Sequence, residues 1–107
     1  MHDALTRHLP AVRDLCRRFG VTRLEVFGSA ARGDDFDSAR SDADFLVEFQ
    51  KATDLSPLYQ FFGFADELAS VLGRPVDLVG GVVKNPYLRA AIERDRQLVY
   101  RAADPVA

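Results

Sequence analysis

The sequence predicts an α/β (α+β) fold, a small mixed sheet of about four strands covered by helices. Helix-period and strand-period apolar segments follow one another in the order helix, strand, strand, helix, strand, helix, strand. Glycines and Ser-Pro or Asn-Pro pairs punctuate them where elements should stop and start. Size completes the argument: 107 residues, 48% of them hydrophobic, supply one core and no second, so residues 1–107 are expected to form one domain.

Each element has its own signal. From Asp3 to Phe19, the residues Leu5, Leu9, Val12, Leu15, Cys16 and Phe19 recur at helical spacing, and Gly20 is placed to stop the helix. Arg23 to Phe27 alternates charged with apolar residues, a strand ending at Gly28. Residues 34–41 are polar and irregular, a loop. Asp44 to Phe49 is a second strand, apolar enough to be interior. Ser56 and Pro57 read as an N-cap and a first-turn proline. The helix behind them carries Leu58, Phe61, Phe62, Ala65, Leu68, Ala69 and Leu72 as a wide stripe expected to face the sheet, and Gly73 ends it. Within it, Phe61 and Phe62 are expected in the core, and Phe64, off the stripe, is the interface candidate. Arg74 to Val79 is a short third strand, broken by Gly80 and Gly81. Asn85 and Pro86 repeat the cap-proline device before a helix to about Glu93, and Gln97 to Tyr100 is a last strand.

Composition excludes several classes. Charges interrupt every apolar run well short of the roughly 20 residues a membrane span needs. The N-terminus lacks a basic region followed by an apolar stretch, so no secretory signal is read. Cys16 has no second cysteine to pair with, which fits a reducing cytoplasm. The net charge is −2, and no basic patch is large enough for duplex binding, so no direct nucleic-acid partner is expected. The charge is uneven, however. Asp34 to Glu48 holds six carboxylates and one cation, a local −5 that leaves +3 on the rest.

Three pieces of sequence carry chemistry. Gly28 and Ser29 end a strand, and Ala30, Ala31 and Arg32 are good helix formers. A short helical turn there would aim free backbone N–H groups at a phosphate, with glycine allowing close approach and Ser29 and Arg32 adding contacts. Alone, such a pair reads first as an ordinary capped turn. Asp42 and Asp44 lie two apart at the start of an apolar strand, so they share a face, roughly 7 Å apart along the chain. Two carboxylates so placed repel each other unless solvated, and a divalent cation such as Mg²⁺ or Mn²⁺ between them removes the repulsion. Asp35 and Asp37 have the same spacing but no strand follows them, so they read as loop. Asp77 is the one acid of the third strand, which a crossover helix could bring beside the Asp42 strand. By itself it would pass for an exposed-face residue. Together, a phosphate-binding turn and three strand acids are the set needed for two-metal phosphoryl or nucleotidyl transfer.

Gly28-Ser29 with Gly33, then Ser41, Asp42, Ala43, Asp44 and the apolar run to Val47, then Val76-Asp77-Leu78-Val79, resemble the minimal nucleotidyltransferase (MNT) family of the polymerase-β-like superfamily. The resemblance covers nearly the whole chain. It implies the polymerase-β-like core, ATP as substrate, two Mg²⁺ ions (Mn²⁺ as a substitute) and transfer of AMP to an acceptor hydroxyl. By position, Gly28, Ser29 and Arg32 would bind the nucleotide. Asp42, Asp44 and Asp77 would be the catalytic and metal-binding acids, with Asp77 helping to deprotonate the acceptor. One spacing departs from the family. Ala30 to Ser41 make twelve residues where about ten are usual, a mild change for a polar surface loop.

The resemblance also implies a partner. MNT proteins resemble the antitoxin half of two-component systems whose other half is a HEPN-type ribonuclease toxin, neutralised by attaching AMP to a tyrosine hydroxyl. Because the chain holds little beyond a nucleotide-binding layer, the acceptor is expected on another chain, in a homo- or hetero-oligomer. Two alternatives stand beside this: an antitoxin that neutralises by binding alone, and a small-molecule transferase of the aminoglycoside-modifying kind. His2 and His8 find no metal-ligating partners in the sequence. Arg89, Arg94 and Arg96 read by default as a solvated helix face, with the nucleotide or an acidic partner as the other readings.

Overall fold

The structure, a computed structural model, describes residues 3–28, 43–51, 53–80 and 83–102. In chain order the elements are α1 (Asp3–Thr6), α2 (Leu9–Arg18), β1 (Val21–Phe27), β2 (Ala43–Phe49), α3 (Pro57–Leu72), β3 (Val76–Gly80), α4 (Pro86–Asp95) and β4 (Gln97–Arg101). The four strands form one mixed sheet in the order β3-β2-β1-β4. β1 pairs antiparallel with both β2 and β4, whereas β2 and β3 are parallel and joined through α3. The predicted fold class is thus the observed one.

The cap-proline devices work as read. Ser56 Oγ accepts from Tyr59 N at 3.1 Å, and Asn85 Oδ1 accepts from Tyr87 N at 2.9 Å and Leu88 N at 3.3 Å. At the other end of α3, Gly73 takes φ +67 and its N–H donates to Ala69 O. The single helix expected from Asp3 to Phe19 is instead two. Pro10 has no N–H and its ring opposes the carbonyl four residues back, so the ladder breaks at Arg7 and His8, and α2 starts with the proline in its first turn.

One sheet face builds the core. Leu24 and Val26 of β1 and Ala43, Phe45 and Val47 of β2 meet Val12, Leu15 and Cys16 of α2 and Phe64 and Leu68 of α3. Burial pushes the Cys16 thiol up to about 12, so it stays protonated and packs as a small apolar residue. The buried row of α3 is Gln60, Phe64 and Leu68; of the stripe expected from sequence, Leu68 is buried and Phe61 and Leu72 pack against the core, whereas Leu58 and Phe62 face outward. Phe64 is 0% exposed and sits in the core, so it is not an interface residue; Phe61 is half-buried and Phe62 is 58% exposed. Gln60 explains the rotation. A glutamine marks the buried row because its Nε2 donates to Phe19 O at 2.9 Å and Gln50 O at 3.1 Å, tying the ends of α2 and β2 to α3.

The opposite sheet face carries Glu25, Phe27, Asp44 and Asp77, and α4 lies against it. Phe27 and Ile92 are buried there, apart from the main cluster. Arg96, which closes α4, grips the Glu25 carboxylate with Nε at 2.8 Å and Nη2 at 2.6 Å, and Arg23 Nε stands 3.1 Å away. The Arg96 hydrogen bonds hold the Glu25 carboxyl below its ordinary 4.5 against the opposing effect of burial. A depressed folded value means the stabilisation is full above pH about 4.5 and fades as pH falls through the lower folded value. Glu25→Gln should therefore cost about 1–2 kcal/mol at pH 7. The difference in thermal midpoint from the parent should shrink in melts run below pH 4.5; a gap that does not change with pH would assign the loss to packing.

Candidate active site

The site sits where β1 ends and β2 and β3 begin. Phe27 pairs with Asp44, and Asp44 pairs with Asp77, so these residues stand in one row across three strands. Residues in such a row share a sheet face, about 4.8 Å from strand to strand. Ala43 N donates to Pro75 O at 3.0 Å, which fixes the starts of β2 and β3 against each other. Asp44 is half-buried and Asp77 is exposed.

Gly28 turns the chain away from β1 with φ +72, a conformation that L side chains rarely adopt. Its missing side chain has a second consequence. A Cβ here would lie 2.8 Å from Asp44 Oδ2, so the carboxylate occupies the space glycine leaves open. Gly28, Asp44 and Asp77, proposed from sequence, thus converge at one corner. Ser29, Arg32 and Asp42 lie outside the described residues.

The donor set at this corner is oxygen only, two carboxylates in register, which suits a hard divalent cation such as Mg²⁺. No group of three or more His, Cys, Asp or Glu side chains able to hold a metal occurs among the described residues. A cleft of about 790 Å³ lies at the other end of β2, lined by residues such as Phe49, Lys51 and Phe61, and among the described candidates neither Gly28, Asp44 nor Asp77 borders it.

Arg89 and Arg94 are exposed, as the default reading of a solvated helix face has it, and Arg96 departs from it. Arg96 is committed to Glu25, and Arg94 pairs with Asp95 at 3.2 Å. The Glu25 network, on the same sheet face as the acids, escaped the sequence reading. Its only signal was a charge in the middle of an otherwise buried strand.

A four-stranded mixed sheet with strand-end acids beside a glycine turn is the layout of a polymerase-β-like nucleotidyltransferase. Residues 11–102 match the model of the nucleotidyltransferase domain family, and the chain belongs to that family. It is similar to the protein adenylyltransferase MntA of Thermococcus cleftensis, at 39% identity over 74% of this chain and 72% of that one. A solved structure named, provisionally, as a minimal nucleotidyltransferase superposes with a TM-score of 0.69 at 34% identity, covering 91% of this chain and 95% of the other. A chain from the complex of the tri-AMPylated Shewanella oneidensis HEPN toxin with its MNT antitoxin shares the fold, with a TM-score of 0.60 at 20% identity over 91% of this chain and 72% of that one. No helix among the described residues is long and apolar enough to cross a membrane.

Proposed function

We propose that this protein transfers AMP from ATP to a tyrosine hydroxyl of a HEPN-type partner toxin and so acts as its antitoxin. The observation that carries the reading is the register of Asp44 with Asp77 beside the Gly28 turn, in a chain of the nucleotidyltransferase family. The adenylyltransferase relative and the AMPylated HEPN complex among the structural neighbours support the acceptor class.

In this reading, Gly28 lets the triphosphate approach the backbone, and Ser29 and Arg32 bind its oxygens. Asp42, Asp44 and Asp77 are the residues that would hold two Mg²⁺ ions, with Mn²⁺ as a substitute. When bound, such ions supply Lewis-acid stabilisation of charge on the phosphate oxygens. Asp77, the exposed member of the row, faces the acceptor and takes up the proton of its hydroxyl. The hydroxyl oxygen bonds to the α-phosphorus while the α–β bridging bond breaks, so pyrophosphate leaves and the acceptor keeps AMP. The reading takes the reaction to be cytoplasmic, where ATP is available as substrate.

The test is mass spectrometry of the HEPN-type protein of the same genome after incubation with this protein, ATP and Mg²⁺. A gain of one or more AMP groups on tyrosine is expected. A tight complex with no mass change would replace transfer with neutralisation by binding alone.

A further inference from the structure

The core uses one face of α3, and the helix has a second apolar face that it does not use. At about 100° per residue, Leu58 and Phe62 lie nearly opposite the buried row of Gln60, Phe64 and Leu68. Leu58 is 70% exposed and Phe62 is 58% exposed. They are not scattered surface residues, because rings connect them to the interior. Phe62 packs edge-on against Phe61 at 5.2 Å between centroids, and Phe61 against Phe49 at 6.3 Å. Phe61, Phe49 and Pro57 also wall the cleft of about 790 Å³, so crest and cleft form one continuous apolar surface. A crest of this kind marks an interaction site.

Its border says what fits. Asp54 precedes the crest and Asp66 lies one turn beyond Phe62; both are exposed. α3 contains no lysine or arginine from Pro57 to Leu72. Glu48 adds another exposed carboxylate beside the cleft, where Lys51 is the cation. On the far flank, Arg18 lies over the Phe19 ring that Tyr59 touches. A second copy of this chain would set these acids against their own equivalents, and the phosphates of nucleic acid or an anionic membrane would be repelled too.

We propose that the Leu58–Phe62 crest and the adjoining cleft dock a protein segment that is apolar along one face and edged with lysine and arginine. We assign that segment to the acceptor protein, and in this respect the inference rests on the transferase reading. Docking then lies at the opposite end of β2 from Asp44. The five residue steps from Asp44 to Phe49 span about 17 Å, so the partner is held at one end of the sheet and modified at the other.

The experiment uses the full chain and the HEPN-type protein of the same genome. Titration calorimetry should give a complex that Phe62→Glu weakens by about 30-fold. The charge reversal Asp66→Lys should weaken it by about fivefold and flatten its dependence on salt. Both sites are exposed, so circular dichroism should be unchanged, and ATP affinity should stay at the parent value. The KM for the acceptor should rise in both variants, with kcat retained. Unaltered affinity in Phe62→Glu would overturn the docking surface even if AMP transfer proceeds normally. Binding that these variants weaken, without any AMP transfer by the parent protein, would keep the surface and sink the transferase reading. Absence of any complex would reject the assigned partner. If the protein alone dimerises with concentration and Phe62→Glu makes it monomeric, the occupant is a second copy and the proposal fails.

Discussion

Asparagine in place of Asp44 is expected to lower AMP transfer by about 10³-fold, equivalent to roughly 4 kcal/mol of lost transition-state stabilisation. The reason is positional. Asp44 is the middle member of the row that runs from Phe27 to Asp77, and its carboxylate fills the space beside Gly28. Asparagine keeps the shape and removes the negative charge, so it still fits the space while losing most of its attraction for a hard cation. The thermal midpoint should stay close to that of the parent, because Asp44 is only half-buried and shape is conserved. Two measurements check this apart from turnover: Mg²⁺-dependent ATP affinity should fall, and binding of the HEPN-type partner should persist. Retained transfer in Asp44→Asn would remove the acid row from the chemistry altogether.

How far the sequence reached depended on whether the deciding interaction was local. Ser56 and Asn85 cap their helices with bonds that span two or three residues, and both were legible. The strand positions of Asp44 and Asp77 were legible too, because a carboxylate at the start of an apolar strand is a local anomaly. Three features were not fully legible. The break before α2 turned on Pro10, whose cost was hidden by an unbroken apolar period on either side. The core face of α3 was read only in part: Leu68, Phe61 and Leu72 do meet the core, but a helix apolar on two sides gives periodicity little to distinguish them, and the deciding residue was polar. Gln60 belongs inside only because the carbonyl oxygens of Phe19 and Gln50, 41 and 10 residues away, stand within reach. Glu25 and Arg96 are 71 residues apart, and neither alone announces the other. The same rule limits the site. The side-by-side placement of Asp44 and Asp77 follows from the parallel β2–β3 register, which the crossover helix only suggested.

Gly28→Ala separates the two jobs of that glycine when set beside Gly73→Ala. Both residues have left-handed backbones, φ +72 and φ +67, so a methyl group strains each by about 1–2 kcal/mol. In a domain of this size that should lower the thermal midpoint by roughly 5–15 °C in either variant. Their surroundings differ. A Cβ at Gly73 meets nothing within 4 Å, whereas at Gly28 it lies 2.8 Å from Asp44 Oδ2. The carboxylate is the far end of a side chain and can swing aside, so the clash adds little to the loss of stability. It moves the oxygen that the chemistry needs, however, and a displacement of about 1 Å at a reacting centre costs on the order of 10²-fold in rate. Gly28→Ala should thus lose both stability and AMP transfer, while Gly73→Ala, matched in strain, should lose stability alone. Thermal melts and transfer assays at a temperature where both variants are folded make the comparison. Equal activity in the two would show that Gly28 serves only the turn and leaves the Asp44 carboxylate where it was.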